Sequence, residues 1–235
     1  MTDRFAVPPR SNAVRLKSAR KHSPSSQRWL ARQLNDPYVQ AAQAQGLRSR
    51  AAFKLIELDE KFGLLRPRPS GRALRVVDLG AAPGGWAQVA LQRDAARVVG
   101  IDLLPIDPMP GAQFLQGDFQ DPEIERLLLE TLGGKADLVL SDMAPNTTGH
   151  VATDHLRIVA LAELALDFAL RTLEPDGAFV TKLFQGGAQG QMMTTLKQNF
   201  RLVRHAKPAA SRKDSRELYL VATGFRCLST QIEGG

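Results

Sequence analysis

Cysteine is almost missing from this 235-residue chain, with Cys227 standing alone. One thiol closes no disulfide within the chain and supplies neither a zinc cluster nor a CxxC redox pair, so a reducing cytoplasm is the expected setting. Long apolar runs are missing as well. The amino terminus, MTDRFAVPPRSNAVRLKSARKHSPSSQRW, has no continuous apolar core of the kind a signal peptide needs, and the most apolar stretch, near 156–170, is interrupted by Arg157, Glu163 and Asp167. A soluble protein without a membrane partner is expected. Aromatic residues make up only 6% of the chain, which leaves few rings for bases to stack on. No His-rich or carboxylate cluster shows ligand spacing, so no metal site is expected.

What the chain does have is positive charge, unevenly placed. Lys and Arg number 31 against 24 Asp and Glu, a formal charge of +7, which suits a polyanionic partner. Residues 4–32 carry Arg4, Arg10, Arg15, Lys17, Arg20, Lys21, Arg28 and Arg32 with no acid after Asp3, while Pro8, Pro9 and Pro24 interrupt any period. This predicts a flexible basic arm over 1–24, one domain over 25–228 and a short tail over 229–235.

From Pro37 the pattern becomes helical, and Leu47, Ala51, Lys54, Leu58 and Phe62 fall on one face, Lys54 being its only polar member. Beyond the turn-rich RPRPSG, short apolar runs alternate with amphipathic stretches, which predicts an α/β fold with a mostly parallel sheet and helices on both faces. The strands read ALRVVDL, RVVGIDL, QFLQG, ADLVLSD, GAFVTKLF, RLVRHA and ELYLVATGF, seven in all. The last two are joined by only ten residues, KPAASRKDSR, too few for a parallel crossover, so the final strand should run antiparallel.

Ligands of open α/β sheets bind outside the carboxyl ends of the strands. Asp78, Asp102, Asp142 and Lys182 fall at or near such ends, and an antiparallel last strand would bring Glu217 to the same edge. In VVDLGAAPGGW, Gly80, Gly84 and Gly85 let the backbone turn and approach a ligand closely, and Asp78 stands directly before that loop. The spacing departs from G-x-G-x-x-G, and Pro83 removes an amide from the loop, which disfavours a phosphate cradle. Asp102 stands where an acid can accept both hydroxyls of a ribose. S-adenosylmethionine offers that ribose, no phosphate and a cation; a nicotinamide dinucleotide is the other reading these residues leave open.

The ordered series VVDLGAAPGGW, GIDLLP, FLQGDF, LVLSDMAPNTTG, VTKLFQG and RELYLVA resembles the FtsJ-type 2′-O-ribose methyltransferases, over roughly residues 25–225. The stretch SSQRWLARQLNDPYVQAAQAQGLRSRAAFKL resembles the bacterial branch that methylates a uridine of 23S ribosomal RNA. The resemblance implies a Rossmann-like class I methyltransferase fold and S-adenosylmethionine as cofactor. It also implies a catalytic Lys-Asp-Lys-Glu set at Lys54, Asp142, Lys182 and Glu217, and cofactor contacts at Gly84, Trp86, Asp102, Asp118 and Asp142. In that reading Asp118 meets the adenine amino group, although it also suits a turn cap after a strand.

Methyl transfer to a ribose 2′-hydroxyl lacks a good nucleophile, because the hydroxyl keeps its proton at neutral pH. Lys182 is the candidate to accept that proton, or, if it stays charged, to orient the hydroxyl and stabilise the oxyanion. Arg28, Arg32, Arg48 and Arg50 on one side, and Arg201, Arg204, Lys207, Arg212 and Lys213 on the other, are expected to flank the crevice and meet RNA phosphates. The implied partner is ribosomal RNA within the large ribosomal subunit, with a monomeric enzyme. Transfer RNA as substrate, an assembly factor that lost catalysis, and a small-molecule methyltransferase are the competing readings.

Overall fold

The computed structural model describes residues 23–68, 71–145, 148–186, 190–212 and 214–226. Most of the expected basic arm, Lys213, Cys227 and the expected tail lie outside the described residues.

Three proline-led helices show how local chemistry starts an element here. In α1 (Pro24–Leu34) the Ser23 hydroxyl accepts the Ser26 amide, in α2 (Pro37–Ala44) Asp36 accepts the Tyr38 amide, and in α5 (Pro122–Leu132) Asp121 accepts the Glu123 amide. Proline at the first helical position has no amide to leave unsatisfied, and the preceding polar side chain caps the next ones. Pro24 is therefore a helix start and not the interruption expected from the sequence, and helix begins thirteen residues before Pro37. The helical face anticipated from Leu47 onward is also divided: α2 ends at Ala44, and α3 (Ala52–Phe62) carries Lys54 and Leu58 inward.

The remaining elements are β1 (Arg75–Leu79), α4 (Gly85–Gln92), β2 (Arg97–Asp102), β3 (Ala112–Gln116), β4 (Ala136–Ser141), α6 (Val151–Thr172), β5 (Leu173–Phe184), α7 (Gly190–Asn199), β6 (Phe200–Ala206) and β7 (Glu217–Phe225). They form one seven-stranded sheet in the order β3-β2-β1-β4-β5-β7-β6. Strands β1 to β5 pair in parallel, and β7 runs antiparallel to both neighbours, β5 and β6. The short 207–216 link cannot cross the sheet, so the chain reverses and β7 inserts between strands laid down earlier.

Because side chains alternate along a strand, each strand feeds two cores. Val76, Val98, Leu138, Val180 and Val221 pack against Phe53, Leu55 and Leu58 of α3 and Trp86 and Val89 of α4. Val77, Val99, Val139, Phe179 and Leu220 pack against Leu128 of α5, Phe168 and Leu166 of α6, and Leu196 of α7. The site residues sit where these layers end, at the carboxyl edge of β1, β2, β4 and β5. Among the described residues no helix is long and apolar enough to cross a membrane.

Candidate active site

The antiparallel register sets the site. Phe184 pairs with Glu217 and Lys182 with Tyr219, so the start of β7 arrives beside the carboxyl end of β5. Residue Asp142 follows β4, its amide bonded to Leu79 O at 3.2 Å, and Lys54 projects from the first turn of α3. Four side chains from distant parts of the sequence thereby meet. Lys54 Nζ lies 2.8 Å from Glu217 Oε1 and 3.6 Å from Asp142 Oδ2, and Lys182 Nζ lies 3.0 Å from Asp142 Oδ1 while also donating to the Asp142 carbonyl at 2.6 Å. All four are largely shielded from water.

At their centre is Tyr219, a residue that motif matching passed over. Its fully buried hydroxyl donates to Asp142 Oδ1 at 2.6 Å, accepts from Lys54 Nζ at 3.0 Å and lies 3.4 Å from Glu217 Oε1. Two residues from Glu217 on one strand, it had to share that face, and this alternation was the available signal. Burial, followed by the charges on Asp142 and Glu217, raises the phenol well above its ordinary value, so it stays a donor. Burial alone would raise Asp142 too, but the Lys182 and Lys54 cations, with the Tyr219 hydroxyl, hold it below the usual carboxylate range. Ser211 adds a hydroxyl to Glu217 Oε1 at 2.8 Å.

Beside this cluster the glycine loop folds over β2. Gly80 has φ 78°, and a Cβ there would lie 2.8 Å from the Met143 side chain, so only glycine fits. Asp102 ties the loop down: Oδ2 accepts the Ala82 amide and Oδ1 the Leu104 amide, both at 2.9 Å. A cavity of about 600 Å³ opens here, lined by Gly80, Asp102, Leu103, Asp118, Phe119 and Asp142 among others. Leu103 and Leu104 remain 68% and 63% exposed beside it, apolar surface left for a flat ligand to cover. Asp118 lines the cavity and also accepts the Gln120 amide at 2.9 Å, so the two roles weighed for it coexist.

Asp78 is the most unusual group. Its carboxylate is buried, and neither oxygen has a hydrogen-bond partner of good geometry among the described residues. It faces a narrow pocket shared with Ser49, Gly80, Gly85, Trp86 and Asp142, and the Ser49 hydroxyl is likewise buried without a partner there. Burial, then the charge on Asp142, pushes the Asp78 carboxyl up to about 8, with the Ala87 amide offsetting part of the rise.

The other expected contacts are distributed around the site. Gly84, at φ 96° capping α4, and Trp86 do not line the larger cavity, while Trp86 lines the narrow pocket that Asp78 faces. The Trp86 indole donates to Ala51 O at 2.8 Å and packs 5.7 Å from the Tyr219 ring, so its side chain braces α3 against β7. Arg48 was expected to meet phosphates; its guanidinium is spent on the carbonyls of Pro83, Asp107 and Pro108. Arg201 lies at the opposite sheet edge, paired with Asp176 at 2.6 Å, because Phe200 opposes Phe225 while Ala206 opposes Tyr219. Arg204 sits mid-strand on β6, and Lys207 donates to Ser215 O at 2.7 Å. Arg50 and Arg212 do border the cluster, around a second cavity. Arg28 and Arg32 fall on α1 with side chains outside the described residues.

Comparison with known proteins identifies the family. A family model described as FtsJ-like methyltransferase matches residues 47–225. The chain is 71% identical over 226 residues to the ribosomal RNA large subunit methyltransferase E of Acidiphilium cryptum, covering 96% of this chain and 98% of the relative. It is 66% identical to the protein of that name from Granulibacter bethesdensis, over 93% of each. Among solved structures, a Plasmodium falciparum protein described as a ribosomal RNA methyltransferase superposes with a TM-score of 0.66 at 33% identity, covering 76% of this chain and 98% of that one.

Proposed function

Because the chain belongs to the FtsJ-like methyltransferase family, we propose that it transfers a methyl group from S-adenosylmethionine to the 2′-hydroxyl of a uridine in 23S ribosomal RNA, acting as a monomer on the large ribosomal subunit in the cytoplasm. The observation that carries this reading is the meeting of Lys54, Asp142 and Glu217 on one buried hydroxyl, with Lys182 joined to them through Asp142, which also forms a wall of the larger cavity.

The residues present suit this cofactor. Asp102 is held where a carboxylate can accept ribose hydroxyls, the exposed Leu103 and Leu104 offer a face to adenine, and Asp118 borders the same space. The unpartnered Asp78 carboxylate and Ser49 hydroxyl suit a positively charged amino group at the other end. Gly80 borders both spaces, and its missing Cβ leaves room for Met143 against the loop. When bound, S-adenosylmethionine supplies an electrophilic methyl group on a sulfonium that leaves as a neutral thioether.

The chain's own task is therefore to present the oxygen and take its proton. Lys182, fixed by two acceptors on Asp142, meets the 2′-hydroxyl; once its ammonium has released a proton to solvent, the neutral amine accepts the hydroxyl proton as the oxygen attacks in line. Asp142 orients Lys182 and keeps its own negative charge beside the methyl donor. Lys54 and Glu217, joined at 2.8 Å, hold the ribose, with Tyr219 fixing the spacing between the two carboxylates. A binding factor without transferase activity would leave this convergence of buried charges unexplained, since burying them costs free energy with no gain in RNA affinity.

Incubation with labelled S-adenosylmethionine and large ribosomal subunits from a strain lacking the gene tests the reading. One 2′-O-methyl group is expected, mapped by resistance of the adjoining bond to alkaline cleavage. Label recovered on a base, on transfer RNA alone or nowhere would overturn it.

A further inference from the structure

The link between β6 and β7, residues 207–216, belongs to neither helix nor strand, yet it carries a side chain that touches Glu217. An irregular segment orders its side chains only through the partners it finds. Here a turn closes where the Ser211 amide donates to Pro208 O at 2.9 Å. The amide of Ala210, a fully buried residue, donates to both carboxylate oxygens of Glu57, at 3.1 and 3.2 Å. Ala210 O accepts Arg50 Nη2 at 2.6 Å. Tyr38 of α2 gives Glu57 Oε1 a further donor at 3.3 Å, and burial followed by the Glu57 charge pushes this phenol up to about 12, so it stays a donor. Glu57 stands three residues after Lys54 on α3, so one helix holds both this turn and the amine that meets Glu217.

The other side of the turn reaches the cluster. Ser211, only 4% exposed, donates Oγ to Glu217 Oε1 at 2.8 Å, the oxygen that also takes Lys54 Nζ at 2.8 Å and lies 3.4 Å from the Tyr219 hydroxyl. These donors all gather on Oε1, and Oε2 takes none among the described residues. A glutamate side chain keeps considerable rotamer freedom, and an ion pair alone lets its carboxylate turn about the lysine. Ser211 carries no charge, so what it adds to the pair is direction. A hydroxyl fixed by its own buried turn holds Oε1 in place and leaves the second oxygen for a sugar hydroxyl.

We propose that Ser211 is a positioning residue for methyl transfer: held in place through Glu57, it turns Glu217 so that Oε1 stays with Lys54 and Oε2 is presented to the ribose. This rests on the ribose-methylation reading and adds to it two residues that act through Glu217.

The test is a double-substitution cycle read in single-turnover transfer to large ribosomal subunits lacking the methyl mark, with cofactor Kd and binding stoichiometry measured by calorimetry. Ser211→Ala is expected to slow transfer about tenfold, the loss of one hydrogen bond to a charged group, with cofactor Kd, stoichiometry and the subunit concentration at half-maximal rate unchanged. Glu57→Gln replaces one of the oxygens facing the Ala210 amide with an amide nitrogen, and a loss of about threefold is expected. In a Glu217→Ala background both losses should shrink to less than about twofold, because the residue they act through is gone. A general weakening of the fold would instead persist in that background and lower the stoichiometry. A wild-type rate in Ser211→Ala, or losses that carry over undiminished into Glu217→Ala, would overturn the inference alone. Absence of 2′-O-methyl transfer by the wild-type protein would overturn the function and the inference with it.

Discussion

Replacing Asp78 with asparagine should make the protein more stable and its cofactor binding worse. The carboxyl is pushed from 3.8 up to about 8 by burial and by the neighbouring Asp142. Its folded-state value lies above its unfolded one, so the stability it contributes is complete below about pH 4 and is lost as pH rises toward 8. At 1.36 kcal/mol per unit, the full cost above pH 8 is about 6 kcal/mol, and local relaxation with water entry brings the measurable part to about 2–4 kcal/mol. Asparagine has nearly the same shape and no charge to bury. Urea unfolding of the cofactor-free protein should therefore show wild type and Asp78→Asn nearly equal at pH 4, with the variant ahead by about 2–4 kcal/mol at pH 8. Titration of Asp142 occurs in both proteins and cancels from the difference. The same variant should bind S-adenosylmethionine about tenfold to a hundredfold more weakly, since it removes a charged partner for the cofactor's amino group. A stability difference that does not grow with pH, or a wild type more stable at pH 8, would refute the claim that this carboxylate is buried uncompensated.

Three further substitutions separate the roles within the cluster. Lys182→Ala should abolish transfer in single-turnover assays while calorimetry shows cofactor affinity largely intact, and Lys182→Arg should be equally inactive because a guanidinium cannot accept the proton; near-normal turnover in Lys182→Arg would mean that positive charge suffices. Tyr219→Phe keeps the ring packing against Trp86 but removes the donor to Asp142, so kcat should fall about tenfold as Asp142 loses its fixed position, and the lost buried hydrogen bond, about 1.5 kcal/mol, should lower the melting temperature by a few degrees. An unaltered kcat would leave Tyr219 a packing residue only. Asp102→Ala strips the acceptor from two loop amides as well as from the ribose, and the cofactor Kd should rise about a hundredfold by calorimetry; an unchanged Kd would remove Asp102 from the cofactor site.

The sheet was legible because its signals are local and repeated: apolar runs set the strands, and the ten-residue link before Glu217 forced the reversal that brings this residue to the carboxyl edge. The polar strand ends followed from topology. Lys54 was different, since nothing within α3 says that its amine reaches Glu217 across 163 residues of sequence; only the resemblance pointed there. Arg48 and Arg201 were misplaced for a related reason. Charge on a sequence does not reveal whether a guanidinium is already spent on carbonyls, or which edge of the sheet it occupies. Pro24 was read by its interior effect when its position at a helix start reverses that effect. Tyr219 escaped notice because a tyrosine inside an apolar strand reads as core, which it is, and its single hydroxyl becomes significant only once the partners from β4 and α3 are known.

The most direct measurement is a crystal structure of the protein with S-adenosylhomocysteine and an RNA fragment bearing the target nucleotide. The account predicts the 2′-oxygen within hydrogen-bond reach of Lys182 Nζ, with the ribose against Lys54 and Glu217. A ribose bound elsewhere, with the Lys54–Glu217 and Lys182–Asp142 pairs closed on each other and out of contact with RNA, would contradict it.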